Sequence, residues 1–407
     1  MENKKPKTQV TESVGCHIGR VFTKQTSDEV TYSNQISRIL QNNCIDCHRE
    51  GEIGPFNLAE YDEVSGWAEM IREVVNERRM PPWHADPDHG KFSNDARLSD
   101  TDLELLNKWV ENGAPEGDPK NLPKPKTYTD GWQIGEPDTV IAMRKRPFPV
   151  PATGTVDYKY FVADTNFTED KWINAAEIRI GNRAVVHHVI VGIKGNRGLA
   201  TFHSGVNSEW VTATAPGSPP TTLPKGYAKL IPKGSKLVFQ MHYTPNGTAT
   251  TDLTRVGFKF IDKEDVEHHV GTQQIVQERL RIPPGAENHP VTARYRFRKD
   301  SLLLSMFPHM HLRGKAFKYE AKYPDGKTEI LLDVPNYDFN WQNGYRLVSP
   351  KLMPKGTTVT ATAHFDNSTK NIANPDPTKT VRWGDQTWEE MMIGYMDTTP
   401  VKKREKK

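Results

Sequence analysis

Cys44-Ile45-Asp46-Cys47-His48 is the stretch of this 407-residue chain whose residue types most directly imply chemistry. Two thiols one helical turn apart, followed by an imidazole, form the C-x-x-C-H signature of covalent c-type haem attachment. The thiols of Cys44 and Cys47 add to the two vinyl groups of the haem, and His48 then faces the iron as proximal ligand. Two rivals carry less weight. A redox dithiol sits at a strand-to-helix junction, whereas a helical pattern precedes this motif. A zinc site needs a second Cys/His pair at close spacing, which the sequence lacks. An electron-transfer haem takes a sixth ligand, usually a methionine thioether. Met80, which follows a helical pattern and precedes Pro81-Pro82, is the expected distal ligand, with Met70, His84 and His89 as rivals.

The histidines are the second chemical signal. His187-His188 lies among Val185, Val186, Val189, Ile190 and Val191. Neighbours on a strand point to opposite faces, so one of the two must enter the core or bind something at a strand end. Two buried imidazoles in a row are costly unless both find partners. His309-Met310-His311 has the opposite geometry: with period two, both rings face the same side, which suits one metal ion. Elsewhere the structural reading is stronger. His268-His269 follows Asp262, Glu264, Asp265 and Glu267 and reads as a charged surface loop. His364 sits in a strand pattern and reads as a hydrogen-bonded structural residue. His17, His203 and His289 have no company.

The elements that must position these groups fall into two kinds. Up to about residue 118 the pattern is helical. Ile36, Ile39 and Leu40 share a face behind a Ser33 or Asn34 cap; Trp67, Ile71, Val74 and Val75 share another. A third helix begins at Ser99, with Asp102 three residues on as in a capping box, and ends at Gly113. A stiff polar linker follows at 119–131, with Pro119, Pro123 and Pro125 among lysines. Beyond it, short runs rich in Val, Ile, Tyr, Phe and Thr alternate with turn residues, as at Ala184 to Ile193, Lys236 to Tyr243, Ser301 to Met306 and Thr357 to Phe365. That spacing predicts antiparallel strands in β-sandwiches. About 270 residues are too many for one sandwich, so two are expected, breaking between Gly271 and Glu287. The chain's 30 prolines and 29 glycines agree with a turn-rich architecture.

The helices, haem motif and distal-Met loop resemble the cytochrome c fold across about residues 30–118. Residues 132–398 resemble the type II, ascorbate-dependent copper monooxygenases, the family of the peptidylglycine and dopamine hydroxylating enzymes. That resemblance implies one copper on His187, His188 and His242, the last within Phe239-Gln240-Met241-His242-Tyr243. It implies a second, oxygen-binding copper on His309, His311 and Met391, with Met392 as an alternative one register away. Tyr395 would help to place substrate. The fold class so expected is multidomain: a small all-α cytochrome c domain followed by two all-β antiparallel sandwich domains of jelly-roll type. The limits are 1–29 linker or remnant, 30–118 haem domain, 119–131 linker, 132–275 and 276–400 copper domains, and 401–407 basic tail. The implied activity is hydroxylation of a C–H bond with O2. It would use two copper ions, one covalent haem c and an electron donor, either ascorbate or another reductant. The alternative is a periplasmic haem–copper electron-transfer or copper-binding protein without hydroxylase activity.

The substrate is expected to be a small-molecule or peptide-like organic compound. Phe307 stands where the peptide enzyme has a carboxylate-binding arginine, so a peptide C-terminus fits poorly. Only Cys16 is left over for a disulfide. A formal net charge of +3 makes no general case for nucleic acid. No apolar run approaches the roughly 18–20 residues needed to span a bilayer. Covalent haem attachment would place the protein in the periplasm or outside the cell. Met1 to Val30 lacks the apolar stretch of an export signal, so a signal is expected upstream, either alone or ahead of a thioredoxin-like module.

Overall fold

The computed structural model describes residues 29–50, 52, 54–128, 131–194, 209–215 and 218–401. Cys16, His17, His203 and the basic tail after Val401 lie outside them.

The helices are short. A π-helical turn, Tyr32–Ile36, leads into Ser37–Asn43; Tyr61–Gly66 and Ala68–Asn76 follow, then Asp100–Glu111. The last starts where the sequence puts it, because Ser99 Oγ accepts the Asp102 N–H at 3.1 Å. Ile36, Leu40, Val64, Leu106 and Trp109 close a core between these helices. The Trp109 indole N–H donates to the Pro115 carbonyl at 3.0 Å, so a large ring is buried without an orphaned donor.

Most of the remaining chain is antiparallel β-structure. Four sheets of four or more strands carry it. Lys159–Asp164, Lys236–Tyr243, Val186–Ile193 and Glu209–Thr214 form one, in that order. It shares a core with a six-stranded sheet built on Lys171–Arg179 and Arg255–Ile261; Val189, Val191, Phe239 and Met241 meet Ile173, Ala176, Val256 and Phe258. In the C-terminal half, Gly271–Val276, Ile393–Pro400, Ser301–His309 and Tyr345–Met353 make one sheet. His289–Arg296, Thr358–Phe365, Gly314–Lys322 and Thr328–Val334 make the other. Strand Thr358–Phe365 alternates strictly: Val359, Ala361, Ala363 and Phe365 are buried, whereas Thr358, Thr360, Thr362 and His364 are less so.

The expected fold class is corrected in two respects. First, the helical part is not an independent all-α cytochrome c unit. Trp83, Ala85 and Phe92 leave the helical core and belong to the C-terminal β core. Trp83, Phe92 and Tyr345 pack edge to face, with centroids 4.9–5.9 Å apart. Ser93 N–H donates to Arg346 O, and Val348 N–H to Lys91 O. Second, the described strands do not divide into two eight-stranded jelly rolls. They form four larger sheets and two two-stranded ones, with a parallel pairing of His268–His269 on Tyr227–Ala228.

Because Trp83 and Phe92 fasten the helical region to the β core, Phe92→Ala should cost about 3–5 kcal/mol at that contact. Limited proteolysis should then cut between residues 79 and 98 while the β halves stay intact. A cleavage pattern identical to that of the parent would refute this attachment.

Candidate metal centre

His188 and His242 are cross-strand partners on Val186–Ile193 and Lys236–Tyr243. The register shifts between Val186 and His188, so His187 has no opposite residue. A bulge of this kind turns the extra side chain away from simple alternation. His187 therefore joins His188 and His242 instead of facing the other way. Ring centroids lie 4.9–5.6 Å apart, and ligand nitrogens of all three rings lie within 4.8 Å of one another. The Nδ1 atoms of His187 and His188 are 3.3 Å apart. Metal–nitrogen bonds of 2.0–2.1 Å at tetrahedral angles put two donors about 3.3–3.4 Å apart, so this spacing fits two ligands of one ion.

Burial sets the electrostatics. His188 is held well below the ordinary histidine value by desolvation, then by the neighbouring His242 and His187. Desolvation and His187 hold His242 down at about 3, and His187 is lowered by burial against the opposing pull of Asp338. Neutral rings offer lone pairs without first losing a proton. Nδ1 of His242 is buried with no protein partner, as are Nε2 of His187, His188 and His311.

Aromatic rings wall the cluster. Tyr158 stands edge-on to His188 at 5.3 Å and tilts over His242 at 4.8 Å. Phe339, from the C-terminal half, stacks on His187 at 5.5 Å and also reaches His311 at 6.1 Å. A polar seam ties the halves beside it: Gln240 donates to the Tyr160 hydroxyl, which donates to Asp385 at 3.1 Å. Neither Tyr158 nor Phe339 stood out in the sequence, since an aromatic beside a histidine is no local signal.

His309 and His311 come together differently. Their rings are 5.2 Å apart and nearly perpendicular. His309 Nδ1 lies 2.6 Å from Gln342 Oε1, and His311 Nδ1 lies 3.3 Å from the Glu389 carbonyl. Buried Glu390 reaches this segment, accepting the backbone N–H groups of His311 at 2.8 Å and Arg313 at 2.6 Å. Burial pushes its carboxyl up to about 8 against the pull of those N–H groups. Met391 packs with Ile393 and Tyr395 in an apolar cluster that includes Trp210 and Phe307. Met392 is in the C-terminal core.

Cys44, Cys47 and His48 form one turn after helix Ser37–Asn43, with Cys47 and His48 N–H groups donating to the Cys44 carbonyl. Burial pushes the Cys44 thiol up to about 12. His48 Nδ1 lies 3.3 Å from the Phe56 carbonyl, its ring packs on Phe56 at 4.9 Å, and Phe56 stacks on Trp67. Met80 N–H donates to the Val74 carbonyl, and no described contact joins Met80 to His48. His364 Nδ1 lies 3.1 Å from Asn288 Oδ1, a structural contact. In a short strand His268 stacks on Tyr227, and His269 meets Trp172 edge to face.

No known family profile matches the chain, and no curated protein does. Among solved structures, similarity is found to the major capsid protein P2 of bacteriophage PM2: 8% identity over 65% of this chain and 98% of that one, TM-score 0.27. The VP2 subviral particle of infectious bursal disease virus gives 9% identity over 65% and 82%, TM-score 0.18. Scores of that size leave the fold to be described from its own sheets.

The copper monooxygenase assignment is therefore corrected. It drew two copper sites from a family resemblance that no profile or curated relative supports. Among the described residues, one group of three or more His, Cys, Asp or Glu side chains converges for a metal, His187, His188 and His242. The cofactor set of two coppers, haem c and ascorbate reduces to that one cluster, and the C–H hydroxylation routed through the larger set is withdrawn with it.

Two outcomes follow. Unfolded histidines take up protons near pH 6.5, whereas His242 and His309 resist until about 3 and about 4. The unfolded state then binds more protons in that window, so stability falls as pH drops below 6.5. Urea midpoints of metal-free protein should be lower at pH 5 than at pH 7.5, and less so in His242→Asn; equal midpoints in the parent would refute it. Glu390→Ala strips three buried N–H groups, of His311, Arg313 and Met391, of their acceptor and should cost roughly 3–5 kcal/mol, with Glu390→Gln milder. Denaturant unfolding of both variants checks this.

Proposed function

We propose that this chain is a metal-binding protein that holds one transition-metal ion on His187, His188 and His242. One observation carries the proposal: ligand nitrogens of three imidazoles, one buried and two half-buried, converge within 4.8 Å. Imidazole donors without a carboxylate suit zinc or copper(II) better than the hard cations magnesium and calcium. Three protein ligands leave a tetrahedral ion one further position for water or another small ligand. The aromatic walls of Tyr158 and Phe339 orient the rings and limit access of bulk water.

No described helix is long and apolar enough to cross a membrane. A periplasmic or extracellular location is part of the same proposal, and fractionation of cells producing the native gene product checks it.

Titration calorimetry of metal-free full-length chain with zinc(II) and with copper(II) tests the site. One equivalent should bind. His188→Ala and His242→Ala should each weaken binding by about 100-fold or more, a loss at least as large as outer-shell changes produce. His309→Ala should leave one equivalent bound. No binding in the parent, or unchanged affinity in His242→Ala, would overturn the proposal.

A further inference from the structure

A cavity of about 740 Å³ opens between the two β halves and the loop that follows helix Ala68–Asn76. Its C-terminal wall is one face of a sheet whose register fixes what sits side by side. Ser305 lies opposite Arg346 on one neighbouring strand and Asp397 on the other. Two residues further along, on the same face, Phe307 lies opposite Tyr395. Trp210 from the N-terminal half closes over this second row, 4.5 Å from Tyr395 and 5.4 Å from Phe307. The cavity thus has an aromatic floor beside a polar row.

The charges in that polar row are unequal. Three carboxylates line the cavity, and each has a cation: Asp46 with Lys126 at 2.6 Å, Asp95 with Arg97 at 3.0 Å and Asp397 with Lys229 at 3.0 Å. Arg346 is the only Lys, Arg or His among the described lining residues. Its Nη1 donates to Thr222 Oγ1 at 3.1 Å, and no described carboxylate pairs with it. Burial lowers its pKa without any acid to offset the cost. Its backbone is fixed, with its N–H on Asn94 Oδ1 and its carbonyl accepting the Ser93 N–H, so strand and loop together aim the side chain.

We infer that this cavity binds an organic carboxylate, its anionic group on Arg346 and an aromatic or aliphatic body on Trp210, Phe307 and Tyr395. A planar guanidinium matches a carboxylate with paired hydrogen bonds, and partial burial strengthens them. The aromatic floor supplies apolar area and ring stacking for the body. The site does not involve the three-histidine cluster, so it stands or falls separately from the metal proposal.

The test uses full-length protein and two probes of equal shape, 4-phenylbutyrate and its uncharged amide, followed by calorimetry and tryptophan fluorescence. The parent should bind the acid about tenfold or more tightly than the amide, the gain expected of a charge-assisted pair. Arg346→Gln should erase that difference while amide binding stays. Trp210→Ala should weaken both probes, and His242→Ala should change neither. Equal affinity for acid and amide in the parent, or an undiminished preference in Arg346→Gln, would overturn the inference, as would failure of the parent to bind either probe.

Discussion

Where the two β halves meet, five imidazoles gather: His188, His309 and His311 are buried, and His187 and His242 half-buried. Burying a ring that can take a proton is costly unless it stays neutral and its nitrogens find partners. Much of the junction serves that requirement. Gln342 and the Glu389 carbonyl occupy one nitrogen each of His309 and His311. Phe339 lies against His187, His242 and His311 and keeps the two histidine groups dry and separate. In the three-histidine group the close approach of the rings suits an ion as shared partner.

The neighbouring elements are tied to the same junction. Glu390 holds the turn after His309 by its backbone, and Arg313 reaches back to the Trp388 carbonyl and Asn367. Tyr160 joins Gln240 of one half to Asp385 of the other. The helical region is drawn in as well, because Trp83 and Phe92 complete the C-terminal core beside Tyr345. The same docking supplies one wall of the large cavity, so the loop after Met80 shapes a binding space and does not merely connect two units.

Met391 and Glu390 are neighbours in sequence that enter different surroundings in the fold. A methionine after an acidic pair reads as a soft metal ligand. In the folded protein the acid acts on the H-x-H segment through the backbone, while the thioether fills an apolar cluster. Both side chains are buried.

Several features were legible locally because they depend on neighbours in sequence. The cap at Ser99, the strand Lys236–Tyr243 and the hydrogen-bonded role of His364 all follow from short-range pattern. The three residues of the metal cluster were also recognisable by type. Their grouping followed from the family resemblance and not from local pattern: alternation puts His187 and His188 on opposite faces, and the bulge that brings both to His242 is set by pairing with a strand some fifty positions away. The capture of Trp83 and Phe92 by a distant core, the placing of Phe339 between two histidine groups and the lack of an acid partner for Arg346 were decided by tertiary structure alone. Each depends on which surfaces meet after folding, and contacts between residues far apart in sequence leave no local period or motif to read.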